Sequence, residues 1–307
     1  MPLVSAKEIL EKAKNEHYAV GAFNINNMEI LQGIINACRK YSSPAIIGAS
    51  EGAIRYAGFK YIVSMVKLAA DESGLPIALH LDHGKNIDTI AQCIGGGFTS
   101  IMIDGSHLNF EENIKVTKQV VDLARPKGLS VEGELGRLSG IEDLVDVEER
   151  DATLTDPDSA VEFVERTGVD FLAVAIGTSH GAYKFKGDPK LDIKRLKEIK
   201  EKVNIPLVLH GASSVPEWVL KRATTYGAVL KGAKGVPEDA IKEAIDNGIC
   251  KINIDTDLRL ALLGAVREVL SENPEEFDPR KYLGAGRDAI EKVVSEKIAL
   301  FGSAGKA

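Results

Sequence analysis

The chain has few cysteines and lacks the long apolar runs that would indicate a membrane protein. Its three cysteines, Cys38, Cys93 and Cys250, are widely spaced and form no CxxC pair. This pattern argues against a disulfide scaffold, so we expect buried, reduced thiols in a cytoplasmic protein. No apolar stretch approaches the roughly 20 residues of a spanning helix, and residues 1–20 lack the apolar segment of a signal peptide.

The chain also lacks clusters of positive charge. It carries 38 Lys and Arg against 45 Asp and Glu, for a net charge of −7, and has no Lys/Arg block. These features exclude nucleic acid and an anionic membrane as expected partners. A small anionic ligand is compatible with this net negative charge, because a phosphate site depends on a few local hydrogen-bond donors.

Short apolar runs rich in Val, Ile and Ala alternate with helical stretches along the whole chain. Near-continuous apolar character is typical of parallel strands that are covered on both faces. We therefore predict an α/β fold, a single (β/α)8 barrel domain over residues 1–307 with an amphipathic N-terminal helix. The eight predicted strands are residues 18–25, 44–50, 76–84, 99–106, 130–136, 170–177, 206–213 and 250–257.

An open, doubly wound sheet is the alternative architecture. It would favour a G-x-G-x-x-G turn after the first strand, but that strand continues into NINNMEI.

Three connections are longer than turns require and are predicted to be extended loops on the catalytic face: 137–155, 178–190 and 214–249. The first is polar and acidic, as expected of a mobile flap, and the last has room for two helices.

Most of the unusual polar residues follow the carboxyl ends of the predicted strands, the end that carries the active site in such barrels. Three histidines there, each followed by glycine, have the residue type and number expected of a catalytic zinc site. These three are His83, His180 and His210; the other polar residues at strand ends are Asn24, Ser50, Asp82, Asp104, Glu134, Asn253 and Asp255.

The other three histidines and the two strand-end carboxylates, Asp104 and Glu134, do not indicate a single role. We expect His17 to be structural and His80 to be packed or to support a ligand, and His107 is ambiguous. Asp104 and Glu134 are compatible with a second metal position, with an outer layer that orients the histidines, or with hydrogen-bonded structural carboxylates.

Small residues at the ends of the last two predicted strands indicate a phosphate site. HGASS begins at His210 and NIDTD begins at Asn253, and phosphate commonly binds at these loops of barrels.

Lys251 is compatible with Schiff-base chemistry. We expect it near the beginning of its strand, away from the histidines, which disfavours that mechanism.

With these motifs placed, the sequence resembles the class II, zinc-dependent fructose-1,6-bisphosphate aldolases over essentially its whole length. The matching strings are VGAFN, ASEGA, LHLDHG, SIMIDGSH, VEGELGRLSGIED, AIGTSHGAYKF, LVLHGAS and KINIDTDLR. The resemblance implies one catalytic zinc on the three histidines and a second metal position at Asp104 and Glu134. It also implies a homodimer or homotetramer, and some members respond to a monovalent cation.

The resemblance implies reversible cleavage of fructose 1,6-bisphosphate to dihydroxyacetone phosphate and glyceraldehyde 3-phosphate, a glycolytic and gluconeogenic step. Zinc would polarise the ketose carbonyl and stabilise the enediolate. Asp82 would move the proton of the C4 oxygen, and Glu142 would deprotonate dihydroxyacetone phosphate. The implied substrate-binding residues are Asn24, Ser50, Gly181, Lys184, Gly211, Ala212, Ser213, Asn253, Asp255, Thr256 and, from a partner subunit, Arg280.

Three alternatives remain open. A tagatose-1,6-bisphosphate aldolase would differ in the configuration of one hydroxyl group, a small change for a binding pocket. A zinc hydrolase commonly needs an H-x-H on the first strand, where this chain has Phe23-Asn24-Ile25. A non-catalytic sugar-phosphate binder would bind ligand without turnover.

Overall fold

The computed structural model describes residues 3–137, 139–142, 145–147, 153–180, 190–230 and 235–307. Eight parallel strands close into a barrel, because the first of them pairs with both the second and the last. The predicted (β/α)8 barrel is therefore confirmed. Its strands are β1 (Val20–Asn24), β2 (Ala45–Ser50), β3 (Ile77–Gly84), β4 (Ser100–Ile103), β5 (Ser130–Leu135), β8 (Phe171–Val174), β10 (Leu207–Leu209) and β11 (Ile249–Ile254).

Helices connect the strands and surround the barrel. Their bounds are α1 (Ala6–Glu16), α2 (Met28–Tyr41), α3 (Glu51–Ala57), α4 (Phe59–Ser73), α5 (Ile87–Gly96), α6 (Phe110–Ala124), α7 (Pro157–Thr167), α8 (Ile193–Lys202), α9 (Glu217–Thr225), α10 (Glu238–Asp246), α11 (Thr256–Glu272) and α12 (Pro279–Phe301). A 3-10 turn over Arg125–Lys127 follows α6. The described residues of 214–249 contain two helices, for which the sequence analysis found room. In the described part of the chain, no helix has the length and apolar character needed to cross a bilayer.

The N-terminal helix α1 packs against the amino-terminal end of the barrel. Ser5 caps it by accepting a hydrogen bond from the amide of Lys7, and the helix buries Ile9 and Leu10. These side chains join a core cluster with residues from the strands, including Phe171 and Val208. Helix α1 therefore closes the end of the barrel opposite the predicted active site.

A second, small sheet lies in the long loops that the sequence analysis assigned to the catalytic face. It joins β6 (Ser139–Glu142), β7 (Val145–Val147) and β9 (Ser179–His180). The sixth predicted strand is shorter than expected, because β8 ends at Val174 and His180 lies in β9 of the small sheet. The flap therefore includes a β-hairpin that the sequence did not predict. The single domain over residues 1–307 stays a prediction.

Candidate active site

The carboxyl end of β3 brings two consecutive side chains to one place. Successive residues of a regular strand point to opposite faces of the sheet. His83 instead has φ 49°, in the left-handed region, and the pairing of β3 with β4 shifts register between Leu81 and Gly84. This irregularity lets Asp82 and His83 contribute to the same site, and backbone strain of this kind is concentrated at functional sites.

Asp82, His83 and His210 form a group that could hold a metal ion. Each offers one ligand atom, and these three atoms lie within 4.8 Å of one another. The rings of His83 and His210 have centroids 4.6 Å apart and are inclined at 70°. Imidazole nitrogen with carboxylate oxygen is a donor set that suits a divalent transition metal. The residues therefore fit the metal that the sequence predicts.

A second group shares His83 and adds the two strand-end carboxylates, Asp104 and Glu134. Its ligand atoms also lie within 4.8 Å of one another. Nδ1 of His83 is 3.1 Å from Oδ2 of Asp104 and 3.7 Å from Oε2 of Glu134, and Lys85 Nζ is 3.7 Å from the same Asp104 oxygen. This arrangement is compatible both with a second metal position and with carboxylates that orient the ring of His83.

Charge at this strand end favours a bound cation. Burial by itself would lower the pKa of His83, but Asp82, Asp104 and Glu134 together raise it well above its usual value. Burial and the neighbouring Asp104 raise the pKa of Glu134. Burial lowers the pKa of His210, which favours the neutral imidazole that binds metals. The carboxylates that hold a proton on His83 would also attract a divalent ion.

Two amides hold the carboxylate of Asp82. Nδ2 of Asn24 donates to Oδ2 over 2.7 Å, and Nδ2 of Asn253 donates to Oδ1 over 2.8 Å. Asn24 is the last residue of β1, and Asn253 is the second-last residue of β11. The first and last strands of the barrel therefore hold one carboxylate between them. The structure thus places three of the predicted catalytic and substrate-binding residues in direct contact.

The barrel interior beside His210 contains Glu132, which the sequence analysis missed, and Lys251, which it placed away from the histidines. Nε2 of His210 is 2.7 Å from Oε1 of Glu132, and Lys251 Nζ is 2.8 Å from Oε2 of the same carboxylate. The expectation that Lys251 lies away from the histidines is therefore wrong. Its Nζ is instead held in a buried ion pair with Glu132, the carboxylate that also contacts His210.

A signal for these residues was present in the sequence. In VEGEL, Glu132 and Glu134 are two positions apart, as are Lys251 and Asn253 in CKINID. Residues two apart in a strand face the same side of the sheet. A charged residue two positions before a predicted site residue therefore points into the barrel one layer deeper.

The predicted phosphate loop follows β10 at the same end of the barrel. Gly211 has φ 61°, and a Cβ placed on it would lie 2.7 Å from the carbonyl oxygen of Ser179. The backbone just before His180 therefore packs against the residue just after His210. Ala212 and Ser213 are buried in this loop.

The other predicted substrate-binding residues occupy helix starts. Asp255 and Thr256 begin α11, and Asp255 is paired with Arg259, which the sequence analysis did not single out, at 2.7 Å. The hydroxyl of Ser50 caps α3 by accepting from the amide of Ala53 at 3.2 Å. Arg280 lies in the first turn of α12, where its side chain is 88% exposed and pairs with Asp278.

Several predicted site residues lie outside what the structure describes. Gly181 and Lys184 are outside the described residues, and for Glu142 and His180 the backbone alone is described. Glu142 ends β6, and the backbone of His180 pairs with Gly140 in the small sheet.

Comparison with known proteins identifies the family. The model of the family described as "Fructose-bisphosphate aldolase class-II" matches residues 4–229 and 226–306. The chain belongs to this family. The fructose-bisphosphate aldolase of Thermus caldophilus is 52% identical over 305 residues, 99% of this chain and 100% of the relative. That of Helicobacter pylori strain J99 is 51% identical over 305 residues, 99% of both chains.

Solved structures agree with the family assignment. The YdjI aldolase from Escherichia coli K12 superposes with a TM-score of 0.81 at 36% identity, covering 99% of each chain. A structure described as a putative fructose-1,6-bisphosphate aldolase from Coccidioides immitis gives 0.80 at 30% identity, covering 98% of this chain and 97% of the other. Class II aldolases depend on a metal ion, and the donor group around His83 meets that requirement.

Proposed function

We propose that this class II aldolase reversibly cleaves fructose 1,6-bisphosphate to dihydroxyacetone phosphate and glyceraldehyde 3-phosphate. Family membership over the whole chain supports the reaction type. The observation that carries the proposal is the convergence of Asp82, His83 and His210 at the active-site end of the barrel. A carboxylate that can move a proton thus lies beside a set of metal donors.

The metal in this proposal is zinc, held by His83, His180 and His210. Support for the third ligand comes from the contact between Gly211 and Ser179, which brings the backbone before His180 next to the loop after His210. When bound, zinc supplies Lewis-acid chemistry that stabilises the negative charge developing on the substrate oxygen. Asp104 and Glu134 would form a second metal position with His83.

Asp82 would act as the acid/base. In the cleavage direction its carboxylate accepts the proton of the C4 hydroxyl group as the C3–C4 bond breaks, and in condensation it returns that proton. Asn24 and Asn253 donate to its two oxygens and so orient it toward the substrate. Glu142, at the end of β6, would deprotonate dihydroxyacetone phosphate, and the hairpin that carries it would exclude water.

The phosphate groups would bind at two sides of the barrel mouth. Support comes from the small, buried residues of the loop after β10 and from the start of α11, a helix N-terminus at the same end of the barrel. The phosphate of dihydroxyacetone phosphate would lie on Gly181, Lys184, Gly211, Ala212, Ser213, Asp255 and Thr256, with Asn253 touching the enediolate. Ser50 and Arg280 of a partner subunit would bind the phosphate of glyceraldehyde 3-phosphate.

A partner subunit is also part of the proposal, based on the resemblance to the family. The guanidinium of Arg280 is exposed and pairs with Asp278 within its own chain, and in a homodimer or homotetramer it would serve a neighbouring site. A monovalent cation as activator is a further part of the proposal, based on the resemblance to the family alone.

The decisive experiment is the cleavage assay before and after chelation. We expect EDTA to abolish cleavage of fructose 1,6-bisphosphate and added zinc to restore it. Activity that survives complete removal of the metal would refute the metal mechanism, whereas zinc binding without turnover would indicate a sugar-phosphate binder. A parallel assay with tagatose 1,6-bisphosphate tests the substrate assignment, since preference for tagatose would overturn it.

A further inference from the structure

A charged pair is fully enclosed in the barrel beside the candidate metal centre. The side chains of Glu132 and Lys251 are both 0% exposed, and their Oε2 and Nζ atoms are 2.8 Å apart. Oε1 of Glu132 is 2.7 Å from Nε2 of His210, and Oε2 is 3.4 Å from Nε2 of His80. The Nδ1 atom of His80 is in turn 2.8 Å from the hydroxyl of Ser100.

Such a pair is not an efficient way to stabilise a barrel. Removing two charges from water costs several kcal/mol per ion, and apolar residues of similar volume are often equally or more stabilising. The other interior layers of this barrel contain apolar residues such as Val208 and Ala22. Stability alone therefore gives no reason for a glutamate and a lysine at these positions.

The geometry assigns the pair a specific task at His210. Nζ of Lys251 donates to Oε2 of Glu132 over 2.8 Å, and this enclosed ion pair favours the ionised carboxylate. An ionised carboxylate only accepts hydrogen bonds, so the proton between Glu132 and His210 belongs to Nε2 of the histidine. The lone pair of the ring then lies on Nδ1, the nitrogen that can bind a metal.

We propose that Glu132 is a positioning residue that fixes the tautomer and ring orientation of His210 for metal binding, and that Lys251 keeps its carboxylate in place. This proposal rests on the metal site of the proposed function. Carboxylate–histidine–metal arrangements of this kind orient the ring and raise its basicity, and losing the carboxylate costs about 10- to 100-fold in metal affinity. Glu132 and Lys251 touch neither the substrate nor the metal in this scheme.

The test compares zinc binding by the full-length wild type with that of three variants: Glu132→Gln, Lys251→Met and the double variant. Zinc dissociation constants come from competition with a chelator. We expect about 10- to 100-fold weaker binding for Glu132→Gln. The double variant should fold at least as well as either single variant, because it buries no unpaired charge, but it should still bind zinc weakly.

A matched control separates positioning from general destabilisation. Lys297 is likewise buried and pairs with Asp257 at 3.2 Å, but its Nζ bonds to Ser214 and does not touch a histidine. Lys297→Met removes the same charge from the same kind of environment. We expect its melting temperature to fall while its zinc dissociation constant stays within about threefold of the wild type. That change is much smaller than the roughly 10- to 100-fold change expected for loss of an orienting carboxylate.

A spectroscopic readout tests the tautomer directly in metal-free protein. In protein labelled with 15N-histidine, the shifts of His210 should show a protonated Nε2 in the wild type and a mixture of tautomers in Glu132→Gln. Wild-type zinc affinity and an unchanged tautomer in Glu132→Gln would overturn the proposal. Failure of the wild type itself to bind zinc would instead refute the proposed metal site.

Discussion

At the scale of single residues, Asp82 has two competing roles. As an acid/base it must stay outside the metal's coordination shell and exchange a proton with the substrate. Its ligand oxygen nevertheless lies within 4.8 Å of the ligand atoms of His83 and His210, so coordination is geometrically open to it. A substitution that keeps the shape of the side chain and removes the proton exchange distinguishes the two roles.

We expect Asp82→Asn to lower the rate of cleavage by about 10²- to 10⁴-fold, the usual contribution of a positioned acid/base. Its zinc affinity should change little. Asn24 and Asn253 each donate to Asp82, so one of these amides must turn to accept from the new NH2 group. Single-turnover cleavage and chelator competition measure the two quantities separately.

The matched control is Asp88→Asn, the same substitution at an exposed position in the first turn of α5. It should retain wild-type cleavage and zinc binding. A loss of more than about tenfold in zinc affinity for Asp82→Asn would contradict the acid/base role, because a change of that size is typical of groups that bind or orient around a metal.

The sequence predicted some residues of the site and not others. Asp82, Asn24 and Asn253 were predicted separately from their strand ends, and the structure brings them into contact. Glu132 was missed, and Lys251 was placed away from the site, because neither stands at the carboxyl end of its strand. Their pairing depends on the register and closure of strands that are 119 residues apart in sequence, which local patterns do not encode.

At the scale of elements, the caps of α7 can be read directly from the sequence. Asp156 followed by Pro157 is a helix-start signal, and the side chain of Asp156 accepts from the amide of Ser159. Gly168, with φ 73°, follows the last helical residue. The small sheet of β6, β7 and β9 was not predicted, because strands of two to four residues show too few alternations to stand out from a polar loop.

The loop after β10 provides an element-scale prediction. In Gly211→Ala, the left-handed backbone costs about 1–2 kcal/mol. The added Cβ must also displace the backbone of Ser179, 2.7 Å away. We therefore expect a higher KM for fructose 1,6-bisphosphate and weaker zinc binding, because both the phosphate loop and the approach to His180 shift.

Gly95→Ala is the control for this loop. Gly95 is exposed in α5, and a Cβ there meets no atom within 4 Å. Alanine should raise the free energy of unfolding by about 0.5–1 kcal/mol, through its better helix propensity, without changing KM. Unchanged KM and zinc affinity in Gly211→Ala would show that the contact with Ser179 plays no part in the site.

At the scale of the whole molecule, the barrel was predictable because each of its strands is buried on both faces. All residues of β1, β2, β3, β5 and β11 are buried, which matches the continuous apolar runs of the sequence. The order of the strands around the barrel follows their order in the chain. The placement of polar residues at the strand ends then follows from the fold itself.

The barrel and the metal should also be linked energetically, and the cysteines can report this link. Cys38, Cys93 and Cys250 are at most 2% exposed, and burial raises the pKa of Cys38 to about 12 and that of Cys250 to about 11. Because the thiolate is the reactive form, native protein should react slowly with maleimide at neutral pH. Labelling of Cys250, in β11, therefore requires the barrel to open.

A ligand that binds only the folded state at 100 times its dissociation constant adds about 2.7 kcal/mol to the free energy of unfolding. We therefore expect free zinc at that ratio to slow labelling of Cys250 by about 100-fold, as followed by mass spectrometry of peptides. Denatured protein should be labelled equally with and without zinc, which controls for binding of the metal to thiols. Equal labelling of the native protein in both conditions would mean that the closed barrel does not bind zinc, since tight binding to the folded state must oppose opening.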